Sequence, residues 1–194
     1  PCSAPVLCPR AAGLEKLNDL FGYGLEEMPA KGTALPVGKG RVIREGRERT
    51  ETTKKVVILS IGTRLAPAVE AARALEKAND DVSVCVADAR WMKPIDTALV
   101  DRLASENDVM VTVEEGSIGG FGDHVLHYLA LSGALDHGEL KVRPMVLPDK
   151  YIEAASQCEQ YEEAGLSNRF IEGTVLKLLG ISSVVTAPVG GGAE

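Results

Sequence analysis

The feature that most constrains the fold is an apolar run followed by a glycine-rich loop, together spanning residues 109–122. The run 109–113 stops at two acids, and a helical pattern of apolar residues begins directly after the glycines. Strand, tight loop and helix N-terminus is how α/β domains build the edge at which ligands or partners bind. The loop residues singled out as a candidate interface are Glu114, Glu115, Gly116, Gly119, Gly120 and Gly122.

Four further apolar runs predict strands of the same sheet, at residues 41–44, 56–61, 82–87 and 141–147. The run 56–61 is continuously apolar, as expected of a strand that is buried on both faces. The first run is short and flanked by polar residues, and the last contains Pro144, which cannot donate a ladder hydrogen bond. The first is therefore predicted at an edge of the sheet, and the last at an edge or at an irregular position.

The segments between these runs carry helix signals. Apolar residues recur there at helical spacing. Gly62 and Thr63 are predicted to turn the chain and cap one helix, and Asp96 to cap the next. Residues 156–159 form a capping box of the S-x-x-E type, and Gly165 is predicted to end that helix.

Strands that alternate with helices predict an α/β fold with a mostly parallel sheet covered by helices on both faces. We expect an inter-domain linker over residues 1–38, the folded domain over 39–180 and a disordered tail over 181–194. The linker is broken by glycines and prolines, and the tail ends in Pro188 and three glycines.

Composition excludes several classes of function. The 194 residues carry a net charge of −7 with no basic cluster, which argues against a nucleic-acid partner. No apolar run approaches the roughly 20 residues of a membrane span. The four cysteines, Cys2, Cys8, Cys85 and Cys158, form no C-x-x-C pair, so a zinc site is not expected, and Cys85 is predicted in the core.

The glycine loop itself permits two interpretations. It is not a G-x-G-x-x-G fingerprint, so packing against another chain segment is favoured over nucleotide binding. Adjacent Glu114 and Glu115 point to opposite faces, so one can accept hydrogen bonds from the loop amides while the other faces solvent or a partner. His124 and His127, three apart on the following helix, are interpreted as a polar helix surface because no third metal ligand is evident.

Four blocks resemble the C-terminal third of the 1-deoxy-D-xylulose-5-phosphate synthase family, which belongs to the transketolase superfamily. Residues 87–96 are similar to its D-x-R-x-x-K-P-L-D block, and residues 113–122 to its V-E-E-G-x-x-G-G-F-G block. Residues 36–41 resemble the start of its last domain. Residues 147–152, with 163–166 after them, resemble its L-P-D-x-[FY]-I and E-A-G-L ending. The four keep their order and spacing over residues 36–180.

The resemblance implies a three-layer α/β/α sandwich around a five-stranded mixed sheet whose first strand is antiparallel. It also implies a homodimeric enzyme that condenses pyruvate with glyceraldehyde 3-phosphate, using thiamine diphosphate and Mg²⁺ held by earlier domains. This fragment is then expected to bind no cofactor, to be inactive alone, and to pack against those domains. Pro9 and Arg10 resemble the family's P-R-G-N segment, whose arginine grips the substrate phosphate. Ala11 and Ala12 depart from that pattern.

Two alternatives come from other classes of protein. One is an interaction module like the C-terminal domain of the β subunit of 2-oxoacid dehydrogenases, which recruits an acyltransferase. The other is an independent nucleotide-binding domain. Residues 28–32 and 114–122 look closest to plant and algal forms, which predicts the plastid stroma, with the bacterial cytoplasm as the alternative.

Overall fold

A computed structural model describes residues 15, 18–22, 31–48 and 50–182. Within them, the strands are β1 (Arg41–Arg44), β2 (Lys54–Ser60), β3 (Val82–Asp88), β4 (Val109–Val113) and β5 (Lys141–Met145). The helices of eight or more residues are α1 (Leu65–Ala78), α2 (Thr97–Glu106), α3 (Phe121–Leu131), α4 (Gln157–Ala164) and α5 (Asn168–Leu179). A single 3₁₀ turn, Gly62–Arg64, joins β2 to α1.

The five strands form one mixed sheet in the order β1-β3-β2-β4-β5. β1 is antiparallel to β3, and all other neighbouring pairs are parallel. This confirms the predicted sheet, and it places both β1 and the Pro144-containing β5 at the edges. The chain leaves β2 toward β3 on one side and then returns to β4 on the other. The topological switch point therefore lies between the carboxyl ends of β2 and β4.

Helices cover both faces of the sheet, because the central strands are apolar on both sides. Val56 and Ile58 of β2 share one core with Val69 of α1 and Ile171 of α5. The alternate β2 residues, Val57 and Leu59, join the other core, whose members include Leu103 of α2 and Phe121 of α3. The two cores confirm the three-layer α/β/α arrangement.

Part of the segment 1–38 packs on the domain. Leu20 and Phe21 are buried in the core that includes residues of α1, and Arg73 of α1 binds the Asp19 carboxylate at 2.7 Å. Cys85 is buried, as predicted. No helix among the residues described above is both long enough and apolar enough to cross a bilayer.

Two predicted helix caps are confirmed and one is wrong. The Asp96 carboxylate accepts from the Leu99 amide, and Ser156 forms the complete capping box with Glu159. The prediction for Thr63 fails: α1 begins at Leu65 after the 3₁₀ turn, and no side chain caps it. The Thr63 hydroxyl instead donates to the Glu115 carboxylate, which removes it from the helix terminus.

Candidate functional site: the glycine loop at the carboxyl edge of the sheet

The Glu114 side chain organises the glycine loop from within. Glu114 follows β4 directly and is 6% exposed. Its two carboxylate oxygens accept hydrogen bonds from the amides of Phe121 and Gly122, at 2.9 and 2.8 Å. These amides open α3, where free N–H groups and the helix dipole favour a negative charge. The anion position at this helix N-terminus is thus occupied by the chain's own carboxylate, which does not favour the nucleotide-binding alternative.

Three of the loop glycines make room for internal groups. A Cβ atom at Gly116 or Gly120 would lie 2.4 Å from Oε2 of Glu114. A Cβ atom at Gly122 would lie 2.7 Å from Oγ1 of Thr112. The structure therefore gives Gly120 a role within the loop itself, because the Glu114 carboxylate needs the space.

The loop amides also find their partners within the loop. The Gly119 amide donates to the Asp123 carboxylate, and the Gly120 amide donates to the carbonyl oxygen of Ser117 at 3.1 Å. Gly119 has φ of +92°, and a Cβ atom there would meet nothing within 4 Å. The loop tip is therefore held by internal bonds while its outer side is open.

Glu115, whose side chain is 33% exposed, lies in a second polar cluster. It accepts from the hydroxyls of Thr63 and Tyr161, and Nε of Arg64 lies 3.3 Å from its Oε1. The guanidinium of buried Arg64 stacks on the Tyr161 ring, 3.3 Å from the ring centroid. These side chains stand at the carboxyl ends of β2 and β4, so they occupy the topological switch point themselves.

Two large apolar side chains project from this edge. Ile118, at the tip of the glycine loop, is 71% exposed, and Tyr151, in the loop after β5, is 85% exposed. The Leu147 amide donates to the Gly116 carbonyl at 2.9 Å, so the two loops are joined directly. We call Ile118, Gly119 and Tyr151 the carboxyl-edge surface.

The two histidines of α3 make none of the contacts described above. His127 is exposed on α3, and His124 is half-buried. The described residues contain no cluster of three or more His, Cys, Asp or Glu side chains that could hold a metal ion. Arg10, Cys2 and Cys8 lie outside the residues that the structure describes.

Sequence reasoning predicted Asp96 as a helix cap but did not anticipate that it also binds the segment 36–41. The Asp96 carboxylate accepts from the Gly40 amide at 3.1 Å and from Lys39 Nζ at 3.3 Å, besides capping α2. Burial opposes ionisation of Asp96, but the hydrogen bonds from Leu99, Gly40 and Lys39 outweigh it and hold its pKa below the usual value. The sequence signal for this contact was the pair of family-like blocks that contain Lys39 and Asp96, because these two blocks lie against each other in the structure.

Comparison with known proteins identifies the class. The family model for the transketolase C-terminal domain matches residues 40–171, and the chain therefore belongs to that family. A solved relative described as a split-gene transketolase, inactive β4 tetramer, superposes with a TM-score of 0.63 at 29% identity. That similarity covers 78% of this chain and 45% of the other.

Comparison with a curated relative gives a more specific similarity and confirms the resemblance to the synthase family. The chain is 53% identical over 150 residues to the probable 1-deoxy-D-xylulose-5-phosphate synthase 2, chloroplastic, of Oryza sativa subsp. japonica. The match covers 77% of this chain and 20% of the rice protein. This chain thus spans about a fifth of the length of that relative.

Proposed function

We propose that this chain is the C-terminal domain of a thiamine-diphosphate-dependent synthase. The whole enzyme condenses pyruvate with glyceraldehyde 3-phosphate to 1-deoxy-D-xylulose 5-phosphate and CO₂, as a homodimer in the plastid stroma. The observation that carries the proposal is the 53% identity to the rice protein, which is named for this synthase. The same name, which includes the word chloroplastic, supports the compartment.

Among the residues that the structure describes, none forms a site that fits the cofactor. The described part of the chain has no cluster of three metal-ligating side chains, and the amides that open α3 already bind Glu114. We therefore assign thiamine diphosphate and Mg²⁺ to the remainder of the protein. The cofactor supplies the carbanion chemistry there. The role that we propose for this domain is to support the assembly of the enzyme that holds the cofactor.

We infer that the structural contribution is made through the carboxyl-edge surface. Exposed Ile118 and Tyr151 are large apolar side chains on loops that internal hydrogen bonds hold in place. A surface that is rigid before association loses less conformational entropy when it is covered. We expect the cofactor domains of the same protein or the second subunit to cover it.

The test uses the full-length protein with Ile118→Glu, which places a charge on this surface without touching the Glu114 contacts. Burying that charge without a partner is costly. We expect pyruvate-dependent CO₂ release to fall by about tenfold or more, since 1.4 kcal/mol corresponds to tenfold. If the second subunit covers the surface, we also expect a shift from dimer to monomer in size-exclusion chromatography with light scattering. Gly120→Leu is less informative, because it would displace Glu114 as well.

Leu131→Glu is the matched control. Leu131 is 75% exposed at the opposite end of α3, away from the glycine loop. It should leave both assembly and activity unchanged. The proposal for the surface fails if Ile118→Glu behaves like Leu131→Glu. The proposed reaction fails if the unmodified full-length protein, supplied with thiamine diphosphate and Mg²⁺, releases no CO₂ from pyruvate in the presence of glyceraldehyde 3-phosphate.

A further inference from the structure

The backbone at the end of β3 is strained at one residue. Arg90 has φ of +57°, and it is the single non-glycine position with a left-handed φ in the described part of the chain. The Trp91 amide donates to the Ala89 carbonyl at 2.6 Å and closes a three-residue turn around it. Left-handed backbone is unfavourable for a side chain of this size, and such outliers cluster at ligand sites.

The same corner holds two guanidinium groups against one carboxylate. The β1–β3 register pairs Arg41 with Asp88. Nε of Arg41 and Nε of Arg90 each lie 3.7 Å from Oδ2 of Asp88, and the side chains of Arg41, Arg90 and Asp88 are 26%, 14% and 8% exposed. Both guanidinium groups therefore lie beside the same carboxylate oxygen.

Two donors in this corner have no acceptor. Nε of Arg90 and Nε1 of Trp91 are buried, and neither makes a hydrogen bond with the residues that the structure describes. Buried donors in folded proteins are almost always satisfied by protein, water or an ion. The Asp88 carboxylate does not serve Nε of Arg90, because 3.7 Å is too long for a hydrogen bond.

We propose that this corner binds a small oxyanion such as phosphate, held by the Arg90 guanidinium and the Trp91 indole N–H. The charge of Arg41 supports binding from the adjacent strand. A guanidinium offers paired, always-charged donors that match phosphate oxygens. Because both donor atoms are buried, binding requires the loop that carries Arg90 and Trp91 to open enough to admit the anion. This site is separate from the glycine loop and does not depend on the proposed function.

Trp91 is the single tryptophan of the 194 residues, so its fluorescence reports on this corner alone. We would titrate the chain with inorganic phosphate while holding ionic strength constant with KCl. The proposal predicts a saturable change in emission and a rise in Tm, neither of which KCl alone produces. Arg90→Ala should weaken binding by about tenfold or more, because a charge-assisted hydrogen bond is lost.

Two variants separate binding from folding. Arg90→Gly removes the guanidinium and fits the left-handed backbone, so it should keep or raise the Tm without phosphate and lose the phosphate response. Arg169→Ala removes an exposed arginine on α5 that pairs with Glu162, and it should bind phosphate like the unmodified chain. The proposal is overturned if phosphate gives no saturable change, or if Arg90→Gly and Arg169→Ala bind it equally well.

Discussion

The carboxylate of Glu114 occupies the position that a bound phosphate takes at the helix N-terminus of many nucleotide-binding folds. It joins the end of β4 to the first amides of α3, and Gly116 and Gly120 leave the space that it needs. A glycine-rich loop in this position therefore serves internal architecture. The chain's own acid supplies the charge that a ligand would otherwise bring.

This role predicts a large stability effect at one residue. Glu114→Ala should lower the free energy of unfolding by about 2–4 kcal/mol, because two buried amides lose their acceptor. Urea denaturation measures the change. Glu163→Ala is the control: its pairing with Lys150 is exposed, so the cost should stay below about 1 kcal/mol. Equal effects of the two variants would contradict the role given to Glu114.

At the residue scale, the sequence anticipated a bond between one of the two glutamates and the loop amides. It did not anticipate the contacts of Glu115 with Arg64 and Tyr161, because these two partners are 97 positions apart in the sequence and meet only in the fold. It also did not show the role of Gly120, since the space around a missing side chain depends on groups packed from other segments. The sequence gives no local signal for the left-handed backbone at Arg90, because arginine does not favour that conformation.

Between elements, Glu76 joins the edge of the sheet to α1. This residue of α1 is 4% exposed. Its carboxylate accepts from the guanidinium of Arg44 in β1 and from the amides of Arg47 and Val84, the two amides at 3.1 and 2.8 Å. Burial opposes its ionisation, but these hydrogen bonds outweigh burial and hold its pKa below the usual value of 4.5. The charged form is therefore the one that stabilises the fold.

The sign of this shift makes a prediction for acid stability. Because the pKa is lower folded than unfolded, the contribution of Glu76 is present above pH 4.5 and is lost as the pH falls through the folded value. Glu76→Gln should be less stable near neutral pH and should lose less stability on acidification. Urea unfolding between pH 7 and pH 3 measures both curves. Parallel curves would show that Glu76 has no such linkage.

The elements were largely predictable because their signals are local. The continuous apolar run of β2, the caps at Asp96 and Ser156, and the left-handed Gly165 all follow from short-range patterns. The cap predicted at Thr63 failed because a residue 52 positions away competes for its hydroxyl. A long-range partner of this kind leaves no trace in the local pattern.

For the whole molecule, the alternation of strands and helices indicated the class of fold, and the family-like blocks indicated the antiparallel β1. The structure adds the reason why those blocks share one sheet edge. Lys39 and Asp96 bind each other, and the loops after β4 and β5 are joined by the Gly116–Leu147 hydrogen bond. The blocks therefore build one end of the domain, and the exposed side chains of the carboxyl-edge surface lie there.

Hydrogen–deuterium exchange tests most directly whether this end of the domain is covered in the whole enzyme. The comparison is between the 194-residue chain and the full-length protein, over residues 116–119 and 149–151, with residues 131–136 at the opposite end of α3 as the internal reference. We predict slower exchange in the full-length protein over the first two segments and no difference in the reference. Equal exchange in all three segments would contradict the assignment of this surface as the assembly face.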